Sequence, residues 1–254
     1  MATSVLSGAQ RAIPATSRWA LVLASTRSQS PDAPEALLQL CYSFWKPLFG
    51  YLRHQGYSVV DTQELLQEFF GHLVGKRSIA PAERPAGRFR VYLLSSLRNF
   101  LSTADLRAAA GLRNGQAETL VPLDARSIDD LERQSFQSAS SPIEAFDASW
   151  SRVVFERALE RLHTEAEVRG RRDLLDELAV FLIGEFPESE KEKLAAMAIR
   201  LGVSVPRVKI SISRLRQRFH GYLREEVGGT VAQPHEIEDE LQHLRRMRDR
   251  NGAA

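Results

Sequence analysis

Between Leu201 and Phe219 the chain reads LGVSVPRVKISISRLRQRF, with five cations and no carboxylate. On a helix, with residues 100° apart, Val208, Ile212, Leu215 and Phe219 form one narrow apolar stripe. Arg207, Ile210, Ser213, Arg214 and Gln217 fall on the opposite face, with Lys209, Arg216 and Arg218 beside them. Such groups are suited to reading nucleic acid in the major groove. Guanidiniums pair with guanine, an amide pairs with adenine, and an apolar side chain meets the thymine methyl. The flanking cations suit phosphates. A solvated basic surface helix has the same composition, although an outward Ile210 is poorly explained by solvation. A membrane-surface helix is disfavoured, because the apolar stripe is narrow and is needed for a core.

The residues just upstream favour the DNA reading. Glu190 to Leu201 have helical periodicity, Gly202 suits a left-handed helix end, Ser204 suits an N-cap and Pro206 fits a first turn. A helix, a glycine turn and a second helix make the helix-turn-helix pattern.

A second constellation lies in DTQELLQEFFGHL. Leu65, Leu66, Phe69, Phe70 and Leu73 share one side of a helical wheel; Asp61, Glu64, Gln67, Glu68 and Gly71 share the other. The acidic side is either a solvated face or a docking surface for a basic helix of a partner, and the wheel does not choose between them. Ser58, three residues before Asp61, completes a pattern that resembles a capping box.

Other chemistries find little support. The six histidines are scattered without metal-ligand spacing and read as surface or edge residues. Neither a glycine-rich phosphate loop nor a nucleophile elbow is present. The lone Cys41 has no intramolecular disulfide partner and lies in an apolar stretch, as a small core residue would. We therefore expect a non-enzyme without cofactor or metal.

These faces must be carried by helices, because helical periodicity dominates and strand-like alternation is nearly absent. The expected class is all-α, with two helical domains and a flexible acidic linker. The 254 residues allow two modest cores, and 43% hydrophobic with 26% charged residues is an ordinary globular balance. A net charge of +2 says little about partners; the local distribution matters more. No apolar run reaches the roughly 18 residues that span a bilayer. We read 1–16 as a disordered tail without a signal-type core, and the protein as cytoplasmic. Residues 17–112 form a first helical domain, 113–141 a polar linker, 142–227 a second domain opening at Pro142, and 228–254 a C-terminal extension helix.

Three stretches, in this order, resemble bacterial RNA polymerase sigma factors of the extracytoplasmic-function type. DTQELLQEFF is similar to the family's core-polymerase-binding helix, GRFRVYLLSSLRNFL to its −10 promoter segment, and LAAMAIRLGVSVPRVKISISRLRQRF to its −35-reading helix-turn-helix. The resemblance covers most of the chain from Arg18 to Val227. It implies that Asp61, Glu64, Gln67 and Glu68 dock on core RNA polymerase. It also implies that Phe89, Arg90, Tyr92, Arg98 and Asn99 meet the −10 element, with Tyr92 stacking on an unpaired base. The loop from Lys76 to Arg88 would capture a flipped base. Arg207, Lys209, Ile210, Ser213, Arg214, Gln217 and Arg218 would form the −35 reader. The implied partners are core polymerase, promoter DNA and an anti-sigma factor or other regulator, with no membrane.

The chain departs from the family in three places. The basic cluster that usually follows Asn99 is reduced to Arg107 and Arg113. RGRRDLLDELAVFLIGEF lengthens the second domain, and the helix after Gln233 is extra. Two alternatives follow: a stand-alone helix-turn-helix regulator, and a sigma-like interaction protein without promoter reading.

Overall fold

A computed structural model describes residues 18–25, 33–75, 88–109, 139–182 and 191–252. Among these residues every regular element is helical and none is a strand, so the all-α expectation holds. No described helix is long and apolar enough to cross a membrane. The expected tail over 1–16, nearly all of the Lys76–Arg88 loop and most of the linker over 113–141 lie outside the described residues.

The described residues group into two compact units. The first holds α1 (Arg18–Ser25), the part of α2 (Ala33–His54) through Trp45, α3 (Val59–Gly75), α4 (Phe89–Ala109) and the segment Gly229–Glu236. The second holds Lys46–Tyr57, α5 (Pro142–Val168), α6 (Arg172–Leu178) with a 3-10 turn at Ala179–Phe181, α7 (Lys191–Arg200), α8 (Val205–Gly228) and α9 (Glu236–Gly252) from Ile237 onward. This division differs from the sequence expectation in two ways. The second half of α2 groups with the later helices, and the start of the supposed C-terminal extension groups with the earlier ones.

An aromatic cluster forms the core of the first unit. The ring of Trp19 lies 4.9 Å from Phe89 and 5.1 Å from Tyr92, and Phe44 meets Phe89 edge-on at 5.2 Å. Trp45 stacks on Phe70 at 5.5 Å, and Phe69 touches Phe100. Each fully buried large side chain contributes about 1.5–3 kcal/mol relative to an exposed one. The segment Gly229–Glu236 belongs to this unit through main-chain hydrogen bonds. The N–H of Trp19 donates to Gly229 O at 3.1 Å, and that of Phe89 to Thr230 O at 2.8 Å. Both donors lie at helix N-termini, where N–H groups lack partners within the helix. Thr230 and Val231 are buried there.

The second unit centres on α5 against α8, with α7 also on α8. Phe146, Trp150, Val154, Ala158 and Leu162 of α5 are buried, as are Ile212, Leu215, Phe219, Leu223 and Val227 of α8. Ser141 caps α5: its Oγ accepts from the N–H of Glu144 at 3.2 Å, and Pro142 follows at the first helical position, as expected from the sequence. The stretch that lengthens this unit forms the seven-residue α6 followed by the 3-10 turn, and 183–190 lie outside the described residues. The C-terminal helix α9 buries Glu240, Leu241 and Leu244.

Candidate nucleic-acid and partner-binding faces

A specific backbone device joins α7 to α8. The N–H of Gly202 donates to Ile199 O at 3.1 Å, and that of Val203 to Ala198 O at 3.0 Å. These two bonds form a Schellman ending, which needs a left-handed residue between them. Gly202 supplies it with φ +63. The chain then turns at Ser204, whose carbonyl accepts from the N–H of Val208 at 3.1 Å and starts α8.

On α8 the wheel and the structure agree about burial. Val208, Ile212, Leu215 and Phe219 are buried. Arg207, Lys209, Ile210, Ser213, Arg214 and Gln217 are exposed, with Ile210 at 53%. Arg207, Lys209 and Arg214 form no ion pair among the described residues. A row of uncommitted donors around one exposed apolar side chain can address the floor of a groove.

Arg216 and Arg218 differ from these. Arg216 Nε donates to Phe181 O at 2.7 Å, and Arg218 Nη1 pairs with Glu165 Oε1 at 3.0 Å. Arg218, expected among the −35 readers, is exposed but already engaged by a carboxylate within the unit. The sequence holds no local sign of this, because the partner lies on α5, far away along the chain.

Glu165 sits in a lattice between α5 and α8. Its Oε2 accepts from the Tyr222 hydroxyl at 3.0 Å, and Arg169 Nη1 lies 2.6 Å from Oε1. The guanidinium of Arg161 lies 4.4 Å from the centre of the Tyr222 ring. Arg161 also pairs with Glu226 at 3.2 Å and with Glu225. Burial, then the hydrogen bond to Glu165, raises the Tyr222 hydroxyl above its ordinary value, so it is a firm donor at neutral pH. Burial alone would lower Arg161, but Glu225 and Glu226 more than reverse that, and its pKa is raised.

On α3 the Ser58 hydroxyl accepts from the N–H of Asp61 at 3.1 Å and donates to Asp61 Oδ2 at 2.6 Å. Asp61 is thus part of the helix cap as well as the acidic face. Glu64 and Glu68 are exposed, Gln67 is half-buried, and neither glutamate forms an ion pair among the described residues. Leu66, Phe69, Phe70 and Leu73 are buried as expected, whereas Leu65 is only half-buried.

The α4 residues divide. Arg98 and Asn99 are exposed and Arg90 is half-buried. Phe89 is 0% exposed and Tyr92 4%. The expectation that Phe89 and Tyr92 stand ready for DNA is corrected, because both rings are spent on Trp19 in the core.

Among the described residues no group of histidine, cysteine and carboxylate side chains could hold a metal ion. His243, read from the sequence as a surface or edge residue, is 20% exposed and lies 3.1 Å from the buried carboxylate of Asp147. Comparisons of the chain with protein-family models, with curated proteins and with solved structures return no match.

Proposed function

We propose that the chain is a sigma factor of the extracytoplasmic-function type, acting in the cytoplasm. It binds core RNA polymerase through α3 and brings α8 to the −35 element and the exposed face of α4 to the −10 element. The observation that carries this reading is the pairing of two uncommitted faces of opposite charge. Glu64 and Glu68 stand opposite the buried stripe of α3, and Arg207, Lys209 and Arg214 stand opposite that of α8. Free carboxylates suit a basic helix of the polymerase, and free guanidiniums suit DNA. The α7–Gly202–α8 unit is the helix-turn-helix of this reading, and Arg98 with Asn99 make the contacts on α4. Opening of the −10 region would come from capture of unstacked bases, which offsets a few kcal/mol of unstacking.

One observation favours a second reading. With Phe89 and Tyr92 in the core, α4 offers no aromatic platform from those positions. This suits a stand-alone helix-turn-helix regulator, or a sigma-like protein that binds its partners without opening DNA.

Run-off transcription with core polymerase on a genomic library separates these readings. A sigma factor directs discrete transcripts and loses them in Glu64→Lys/Glu68→Lys protein. A stand-alone regulator binds DNA but supports no transcript with core enzyme. If neither polymerase nor DNA is bound, the proposal fails.

A further inference from the structure

The cations of α8 fall into two classes. Arg207, Lys209 and Arg214 have no ion-pair partner among the described residues. Arg218 is paired with Glu165, and Glu165 is held in place by Tyr222 and Arg169. The Glu165 side chain is 19% exposed, so water does little to replace a lost partner. A DNA phosphate offers Arg218 roughly what the carboxylate already gives. Moving Arg218 to DNA would also take one of the two guanidiniums that share Glu165 Oε1 away from a carboxylate that water reaches poorly. The free cations meet phosphates with no such loss.

We propose, resting on the DNA-reading function of α8 given above, that Glu165 sets how many phosphates α8 engages by withholding Arg218 from DNA. The pair thus lowers sequence-independent affinity while leaving Arg207, Ile210, Arg214 and Gln217 free to discriminate bases. Tyr222 and Arg169 act through Glu165: they hold its carboxylate beside Arg218.

The test is a salt titration of DNA binding by the full chain on a fluorescent mixed-sequence duplex. Each phosphate engaged contributes about 0.9 to the slope of log affinity against log salt. Arg218→Ala should leave the wild-type slope unchanged. Glu165→Gln keeps an acceptor for the Tyr222 hydroxyl but removes the charge, and it should steepen the slope by about 0.9. Adding Arg218→Ala to Glu165→Gln should bring the slope back.

A shallower slope for Arg218→Ala alone overturns the proposal, since Arg218 would already be on DNA. That arm holds even if the Glu165 variant folds poorly. An unchanged slope for folded Glu165→Gln protein, or a steepened one that Arg218→Ala does not reverse, overturns it as well. If no variant binds duplex at low salt, the DNA reading of α8 falls, and this proposal with it. A chain that binds with equal slopes in every variant retains that reading and loses only the role of Glu165.

Discussion

Nε2 of His243 on α9 lies 3.1 Å from Oδ2 of Asp147 on α5, with the imidazole beside Trp150 at a ring separation of 6.3 Å. The carboxylate is buried, and Leu241 and Leu244 are buried on the same helix. Thus α9 is part of the second unit's core, not an appendage to it. His243→Ala should lower stability by about 1 kcal/mol, because it removes an imidazole packed between α9 and α5 against Trp150 and Asp147. Urea unfolding followed by circular dichroism would measure this, and an unchanged midpoint would show that the contact is dispensable.

Gly202 and Gly221 make a matched pair for testing the turn before α8. Neither position has an atom within 4 Å of an added Cβ, but Gly202 has φ +63 and Gly221 lies inside α8. Gly202→Ala should cost about 1–2 kcal/mol from the left-handed backbone alone. Gly221→Ala should stabilise by up to about 1 kcal/mol through helix propensity. Thermal melts of the two variants should therefore shift in opposite directions.

The α3 cap changes how the polymerase-binding face should be probed. Because Asp61 hydrogen-bonds Ser58, replacing it unsettles the helix start as well as the surface charge. Ser58→Ala should cost about 0.5–2 kcal/mol of stability. Glu64→Lys/Glu68→Lys should leave the melting temperature near wild type and abolish capture by core polymerase. Loss of binding for Asp61→Lys alone would not separate the two effects.

Arg214 carries the most direct test of base reading. If it contacts a base, Arg214→Ala should weaken binding to the selected −35 sequence by about 1–3 kcal/mol and relax specificity at one position. Competition between specific and mixed-sequence duplexes measures this. An equal loss on both would make Arg214 a phosphate contact.

Cys41 should be inert in the native protein. The residue is 2% exposed, and burial pushes its thiol pKa up from 9.0 to about 12. An aromatic disulfide reagent should label it only after denaturation. A raised pKa means that the folded state prefers the neutral thiol. This contribution is therefore complete below pH 9 and is lost as pH rises from 9 towards 12. Removing the thiol with Cys41→Ala should flatten the fall of stability over that interval, which unfolding curves at several alkaline pH values would show.

The sequence was most readable where local periodicity and tertiary burial coincide. On α8 the spacing of Val208, Ile212, Leu215 and Phe219 is sufficient to identify the inner face, and the exposed positions follow from it. On α4 the same reasoning was weaker. Apolar residues at Phe89, Val91, Tyr92, Leu93 and Leu94 leave the inner face ambiguous, and the resemblance assigned two core rings to DNA. The pairing of Arg218 with Glu165 and the docking of His243 on Asp147 join residues far apart in the chain, and a wheel drawn on one helix contains neither. The same holds for Gly229 and Thr230, whose carbonyls matter for their position rather than for any side chain.

Those two carbonyls bear on synthesis. The N-termini of α1 and α4 receive their acceptors from residues 229 and 230, long after the helices themselves have been translated. At about 5–20 residues per second, the delay between the end of α4 and this segment is on the order of ten seconds. Over that interval the nascent first unit holds Trp19 and Phe89 without their final backbone partners. The order of translation therefore makes the earliest helices among the last to be completed.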